Sequence, residues 1–345
     1  MASGIIVVIV SLTGCMLVFE SEIKDLLNTE FSLPIQDESR LLPPSKLHNA
    51  VSHMLPGREI HSIWYHGLTK ATVVTINSDS VIYIDPYTAE ILSFQNKEDI
   101  FHFIDEGHRN LWMGKKLGKQ IVGWATMVFL LLLLSGLILW WPNKWTKRNS
   151  SQRFNIKWKA RFKRLNYDLH NVLGFYALSF GLLLAITGLI ISFSWFSKGM
   201  YWLTGGEVNQ LLAKKEVFIN SPHTFLYNSD KVWLKVRQDI ARYNKNDIII
   251  SFQDEANEPI YACTDMIKGT WRDLFFDPVS LSLTQASGKE WQELNFSDQL
   301  RRMNFSLHVG SFGGLPTKIL FFIISLICAS LPITGFYIWW GKRKA

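Results

Sequence analysis

The stretch Gln120–Trp141, QIVGWATMVFLLLLLSGLILWW, carries no charged residue. About 20 apolar residues in a helix cross the roughly 30 Å hydrocarbon core of a bilayer, so this stretch predicts a transmembrane helix. Three further apolar blocks lie at Gly4–Phe19, Val172–Phe196 and Lys318–Trp340, with Lys318 as their only charged residue. The sequence therefore predicts a membrane protein with four transmembrane helices.

Basic residues are concentrated beside these apolar blocks, in a chain of formal net charge +7. Residues 142–168 hold nine Lys or Arg and one acid, and the tail 341–345 holds three more Lys or Arg. Because Lys and Arg are enriched in cytoplasmic loops, we expect both segments and both termini in the cytoplasm of a bacterial inner membrane. Membrane topology accounts for this basic loop, so no nucleic-acid partner is expected.

Two long segments remain for the outer side of the membrane, and each predicts a short helix followed by strands. The fold class is therefore membrane α+β, with two outer α+β domains. In the first segment we expect a helix at 45–56, followed by strands at Thr72–Ile76 and Ser80–Ile84 with a turn at Asn77–Asp79 between them. In the second segment we expect a helix at Val232–Tyr243, followed by strands at Ile248–Phe252 and Pro259–Cys263.

The boundaries follow from these patterns. We expect a first transmembrane helix at 1–19, an outer domain at 20–107, a helix entry and second transmembrane helix at 108–141, a basic cytoplasmic loop at 142–168, a third transmembrane helix at 169–196, a second outer domain at 197–306, a helix entry and fourth transmembrane helix at 307–340, and a cytoplasmic tail at 341–345.

The two halves of the chain resemble each other. Each apolar block contains a Thr or Ser followed by Gly, and the second and fourth blocks end in Trp-Trp. Small residues let helices approach closely in lipid, so we interpret these pairs as helix-packing positions. They are Thr13-Gly14, Ser135-Gly136, Thr187-Gly188 and Thr334-Gly335.

Three histidines lie where the chain enters the apolar blocks. His108 precedes Gly136 by 28 residues and His308 precedes Gly335 by 27, so the two occupy equivalent places. His170 lies at the cytoplasmic end of the third block, 18 residues before Gly188. The matching position in the first half falls before Met1, so we expect the natural chain to begin further upstream.

Histidine at these positions suggests haem ligation. Neutral imidazole is an axial ligand of haem iron, and a helical bundle holds such a cofactor between facing helices. We expect His108 and His308 to hold a haem b near the outer face, with Gly310, Gly313, Gly314 and Pro316 letting the chain bend back. His170 and the upstream histidine would hold a second haem near the cytoplasmic face. The alternative is that these side chains cap helices or lie at the membrane interface.

Three arginines lie close to these histidines in the sequence. Arg109, Arg301 and Arg302 are candidates to pair with haem propionates, because guanidinium groups bind carboxylates strongly. The alternative is that they reach to the interface, as long basic side chains do at helix ends.

Several runs carry a family resemblance. GHRNLWMGKKLGKQIVGW (107–124), LNYDLHNVLGFYALSFGLLLAITGLI (165–190), MNFSLHVGSFGGL (303–315) and SLPITGFYIWW (330–340) resemble the PepSY-associated transmembrane family. Strands ending in Asp85-Pro86 and Asp277-Pro278 are similar to its PepSY module, so the outer domains are expected to be PepSY-like. The resemblance implies an iron-regulated inner-membrane protein, similar to haem reductases of ferric siderophores, with His108, His170 and His308 as axial ligands.

Two functions follow as expectations. The first is a haem b electron-transfer protein that reduces a periplasmic ferric substrate, a ferric siderophore, for iron acquisition. No Gly-rich flavin or nicotinamide motif is recognisable, so the electron donor is expected to be a quinone or another reductase. The alternative is a non-enzymatic membrane protein whose PepSY-like domains bind or regulate a periplasmic partner such as a protease.

Overall fold

The computed structural model describes residues 2–27, 31–76, 80–96, 99–207, 222–252, 258–267 and 270–343. The chain divides into two compact units. The helical unit comprises Met1–Ser21, Ile100–Leu203 and Met303–Ala345, and the sheet unit comprises Glu22–Asp99 and Thr204–Arg302. Each unit is therefore assembled from segments that are distant in the sequence.

Helices and strands are numbered in chain order. The helices are α1 (Ala2–Leu17), α2 (Glu20–Leu26), α3 (Pro44–Met54), α4 (Ile100–Asn110), α5 (Lys115–Trp140), α6 (Lys147–Phe154), α7 (Phe162–Ser192), α8 (Ser194–Leu203), α9 (Pro222–Lys235), α10 (Phe296–Val309) and α11 (Leu315–Arg343). The strands are β1 (Ile60–His66), β2 (Thr72–Ile76), β3 (Ser80–Ile84), β4 (Ile91–Asn96), β5 (Asp247–Ser251), β6 (Ile260–Ile267) and β7 (Thr270–Phe276).

Three helices of the described chain are long and apolar enough to cross a bilayer, namely Lys115–Trp140, Phe162–Ser192 and Leu315–Gly341. The chain is therefore a multi-pass membrane protein, as three of the four apolar blocks predicted. The first block forms α1, which has 16 residues. At 1.5 Å per residue it is about 24 Å long, shorter than the bilayer core. Its crossing of the membrane stays a prediction.

The four apolar helices pack around one another. Helix α7 contacts both α5 and α11, and α1 contacts α11 and α5. Buried small residues such as Ala177 and Ala185 lie along α7 and allow its close approach to these neighbours.

The chain breaks sharply before α5 and before α11. Leu111, Trp112 and Gly114 have positive φ between α4 and α5, and Gly310 and Gly314 have positive φ between α10 and α11. A Cβ at Gly310 would lie 2.8 Å from the Phe321 ring, so this turn requires glycine. The breaks separate the helices that carry His108 and His308 from the long apolar helices that follow.

The sheet unit contains one antiparallel sheet, in the order β4-β3-β2-β1-β5-β6-β7. Strand β1 of the segment Glu22–Asp99 pairs with β5 of the segment Thr204–Arg302, with Ile63 opposite Ile250. Helices α3 and α9 supply Leu47, Val51 and Val232 to the same buried core as the strands. The two segments therefore share a sheet and a core.

Several expected elements agree with the structure. Strands β2 and β3 have the predicted bounds, and the predicted helix at 45–56 corresponds to α3. The predicted turn at Asn77–Asp79 lies outside the described residues. The helix predicted at Val232–Tyr243 is the end of α9 followed by a π-helical turn at Val236–Ile240.

Two features differ from the expectation. The first is the boundaries: residues 20–21, 100–107, 197–203 and 303–306 belong to the helical unit, although we assigned them to the domains 20–107 and 197–306. The second is that the two long segments share one sheet, which was not predicted. Its physical reason is that β1 and β5 would each leave an unpaired edge in a separate sheet, and pairing satisfies the backbone N–H and C=O groups of both strands.

We expect Ile63→Ala to destabilise the sheet unit, because Ile63 is fully buried at the centre of the shared sheet. The loss is about 2–5 kcal/mol, the usual cost of such a cavity. A lower apparent Tm of the detergent-solubilised chain measures it. Phe94→Ala is the control, since Phe94 is 52% exposed on β4. Equal effects of the two substitutions would contradict this assignment of the core.

The β1–β5 pairing is tested by a disulfide. Ser62 and Ser251 are paired residues on these strands, so a Ser62→Cys, Ser251→Cys double variant is expected to cross-link on oxidation. The control pair is Ser62→Cys with Ser93→Cys, because Ser93 lies three strands away on β4. Altered migration on non-reducing gels reports the cross-link. Cross-linking of the control pair alone would refute the strand order.

Candidate functional site

His108 and His308 lie close together in the helical unit, although 200 residues separate them in the sequence. Their ring centroids are 6.2 Å apart and the ring planes are inclined by 58°. His108 is in the last turn of α4 and His308 in the last turn of α10. The breaks that follow these helices let both imidazoles enter the bundle, as the expected bend requires.

Hydrogen bonds hold both rings against neighbouring apolar helices. His108 Nδ1 lies 2.9 Å from the Val10 carbonyl oxygen and 3.2 Å from Thr13 Oγ1, both on α1. His308 Nδ1 lies 2.9 Å from Thr187 Oγ1 on α7. In the described part of the chain, no hydrogen bond engages Nε2 of either ring. The Nε2 atoms therefore retain their capacity to bind a ligand.

His170 makes the same kind of contact at another place in the bundle. Its Nδ1 lies 2.8 Å from Thr334 Oγ1 on α11. The ring lines a cavity of about 970 Å³ between α1, α5, α7 and α11, together with Gly136, Phe175 and Pro332. Of the described residues that line this cavity, His170 is the only histidine.

The Thr-Gly pairs have a role that the sequence analysis missed. A Cβ added at Gly14 would lie 3.1 Å from His108 Cε1, one at Gly188 would lie 3.3 Å from His308 Cε1, and one at Gly335 would lie 3.3 Å from His170 Cε1. These glycines make room for imidazole rings, whereas we had interpreted them as helix-packing positions. The repeated spacing of His and Thr-Gly was the available signal.

Burial keeps the imidazoles of His108 and His308 neutral. These residues lie on α4 and α10, which are outside the three candidate membrane spans. Desolvation, followed by the nearby His108, lowers the pKa of His308 to about 4. Desolvation also lowers the pKa of His108 below its usual value. Neutral imidazole is the form that binds iron or zinc.

The distance between the two ring centres, 6.2 Å, matches the spacing of two imidazoles that bind one metal. Two imidazoles bound to one metal from opposite sides, with bonds of about 2 Å, have ring centres roughly 6 Å apart. Among the described residues, no group of three or more His, Cys, Asp or Glu side chains forms a metal cage. Two facing histidines are nevertheless sufficient for a haem, because the porphyrin supplies the four equatorial ligands.

The arginines proposed for the propionates have protein partners. Arg109 forms an ion pair with Asp105 one turn earlier on α4. Arg301 Nη2 lies 3.6 Å from Asp298 Oδ1. Arg302 donates to the Lys289 carbonyl oxygen and lies over the Trp291 ring. Their role toward a cofactor stays a prediction.

Comparison with known proteins agrees with this architecture. No curated protein matches the chain. The family model described as PepSY-associated TM region matches residues 1–342, nearly the whole sequence. The chain therefore belongs to the PepSY-associated transmembrane family.

Proposed function

We propose that this chain is a haem b electron-transfer protein of a bacterial inner membrane that reduces a periplasmic ferric substrate. The observation that carries the proposal is the 6.2 Å separation of the His108 and His308 rings. Both rings are tied at Nδ1 to α1 and α7, respectively, and so present Nε2 as a ligand.

The chain's own residues position and insulate the site. His108 and His308 would hold the haem iron, and α1 and α7 restrain the two rings through the contacts at Nδ1. A haem held there supplies one-electron transfer. Apolar side chains such as Phe180 and Phe321, whose rings are 5.9 Å apart, exclude water from the interior of the bundle. A low dielectric around the site reduces the reorganisation that accompanies a change of charge.

The substrate that we propose is a ferric siderophore. One electron converts its Fe³⁺ to Fe²⁺, which hard oxygen ligands hold less tightly, and the metal is then released for import. The donor is a quinol or a separate reductase that gives up one electron for each iron reduced. The basic segment 142–168 supports a cytoplasmic position for that loop, and we propose a periplasmic position for the sheet unit.

We also propose His170 as an axial ligand of a second haem in the cavity of about 970 Å³. Its Nδ1 contact with Thr334 repeats the arrangement at His308 and Thr187. The described residues offer one imidazole there, so ligation by those residues is one-sided.

We expect the purified chain to show low-spin haem b bands after reduction with dithionite. His308→Ala removes one of the two ligands of the outer haem, so its low-spin signal should be lost almost completely, while any signal from His170 remains. Optical and low-temperature EPR spectra measure both. The matched control is His102→Ala, because His102 is exposed on α4, the helix that carries His108. If the purified protein takes up no haem, the electron-transfer proposal is wrong, and the alternative of a membrane protein that binds a partner remains.

Electron transfer to the substrate is tested in a single turnover. Protein reduced with stoichiometric dithionite is mixed with a ferric siderophore, and we expect the reduced haem bands to disappear as a ferrous chelator gains colour. The gallium complex of the same siderophore is the control, since Ga³⁺ accepts no electron. Reduced bands that persist in the presence of the ferric complex would rule out this substrate while leaving the haem assignment intact.

A further inference from the structure

We infer that three Thr-Gly pairs act as positioning elements that fix one tautomer and one orientation of each histidine. The pairs are Thr13-Gly14 for His108, Thr187-Gly188 for His308 and Thr334-Gly335 for His170. The tautomer of the histidines in the haem-free chain is inferred from hydrogen-bond geometry alone. The effect of the Thr-Gly pairs on a bound haem rests on the proposed function.

Each threonine hydroxyl donates its only hydrogen to a backbone carbonyl oxygen of its own helix. Thr13 Oγ1 donates to the Ile9 carbonyl oxygen at 2.8 Å, Thr187 Oγ1 to Leu183 at 2.7 Å, and Thr334 Oγ1 to Ser330 at 2.9 Å. A hydroxyl has one donor and two acceptor lone pairs. The threonine oxygen therefore accepts from the imidazole, and Nδ1 carries the hydrogen.

A backbone carbonyl near each ring leads to the same tautomer. The Val10 oxygen lies 2.9 Å from His108 Nδ1. The corresponding carbonyl groups near the other two rings are those of Leu184, beside His308, and Leu331, beside His170. Each of these carbonyls belongs to the residue three positions before the threonine. Because a carbonyl only accepts, Nδ1 is the protonated nitrogen and Nε2 keeps its lone pair.

The glycines set how closely each ring approaches its helix. Any larger residue at Gly14, Gly188 or Gly335 would place Cβ 3.1–3.3 Å from the imidazole Cε1, closer than ordinary van der Waals contact. The ring would have to shift by a few tenths of an ångström. Gly136 differs, because nothing lies within 4 Å of its Cβ position. Gly14, Gly188 and Gly335 therefore allow the close approach of an imidazole ring, and Gly136 does not have this role.

A donor–acceptor pair behind a ligating histidine raises the basicity of the ligand and restrains its rotation. Partners of this kind usually change metal affinity by about 10–100-fold when they are removed. With a haem bound, the Thr-Gly pairs would stabilise the oxidised iron relative to the reduced iron and restrain the orientation of the two rings.

The first experiment measures haem in threonine variants of the full chain. We expect Thr187→Val to weaken haem retention by about 10–100-fold and to raise the midpoint potential, whereas Thr187→Ser, which keeps the hydroxyl, restores both. Thr126→Val is the matched control, because Thr126 Oγ1 makes the same backbone contact, to Val122, on α5. Identical haem retention and potential in Thr187→Val and wild type would overturn the inference while leaving haem binding established.

The second experiment reads the tautomer in the haem-free chain and does not depend on the proposed function. Nitrogen-15 NMR of histidine-labelled protein should show Nδ1-protonated rings for His108, His170 and His308. Thr13→Val, Thr187→Val and Thr334→Val should each perturb one of these signals. Nε2-protonated rings in the wild type would refute the inference. Gly188→Ala should shift the His308 signals and Gly136→Ala should leave them in place, since only the first crowds that ring.

Discussion

The hydrogen bond from an imidazole Nδ1 to a threonine on a neighbouring apolar helix is the interaction on which the helical unit depends most. His308 meets Thr187 at 2.9 Å and His170 meets Thr334 at 2.8 Å. A buried polar ring without such a partner would cost about 1–3 kcal/mol. With the partner, the ring is tolerated in an apolar bundle and its second nitrogen stays available for chemistry.

The turns before α5 and α11 are the second constraint, because they bring the imidazoles to these threonines. A continuous helix through His308 and α11 would carry that side chain away from Thr187. Gly310 and Gly314 adopt positive φ and interrupt the helix at this point. Leu111 and Trp112 adopt positive φ without being glycine, and Trp112 is held by donation from its indole to the Phe103 carbonyl oxygen.

The sheet unit couples the two halves of the chain in a different way. Ile63 and Ile250 face each other across the β1–β5 pair and are both fully buried. Neither segment of the sheet unit completes its hydrogen bonding at this edge without the other. Loss of one segment therefore removes the pairing of the other, and the two segments are expected to fold as one unit.

The sequence by itself determined the three long apolar spans, the basic segment 142–168, strands β2 and β3 and the candidate histidines, because these depend on composition and local periodicity. Only the tertiary structure decided that His108 faces His308, that β1 joins β5, and that the glycines of the Thr-Gly pairs serve imidazole rings. These are contacts between residues far apart in the chain. Local patterns show which residues are apolar or small. They do not show that His308 fills the space beside Gly188, because that contact forms only when α10 packs against α7.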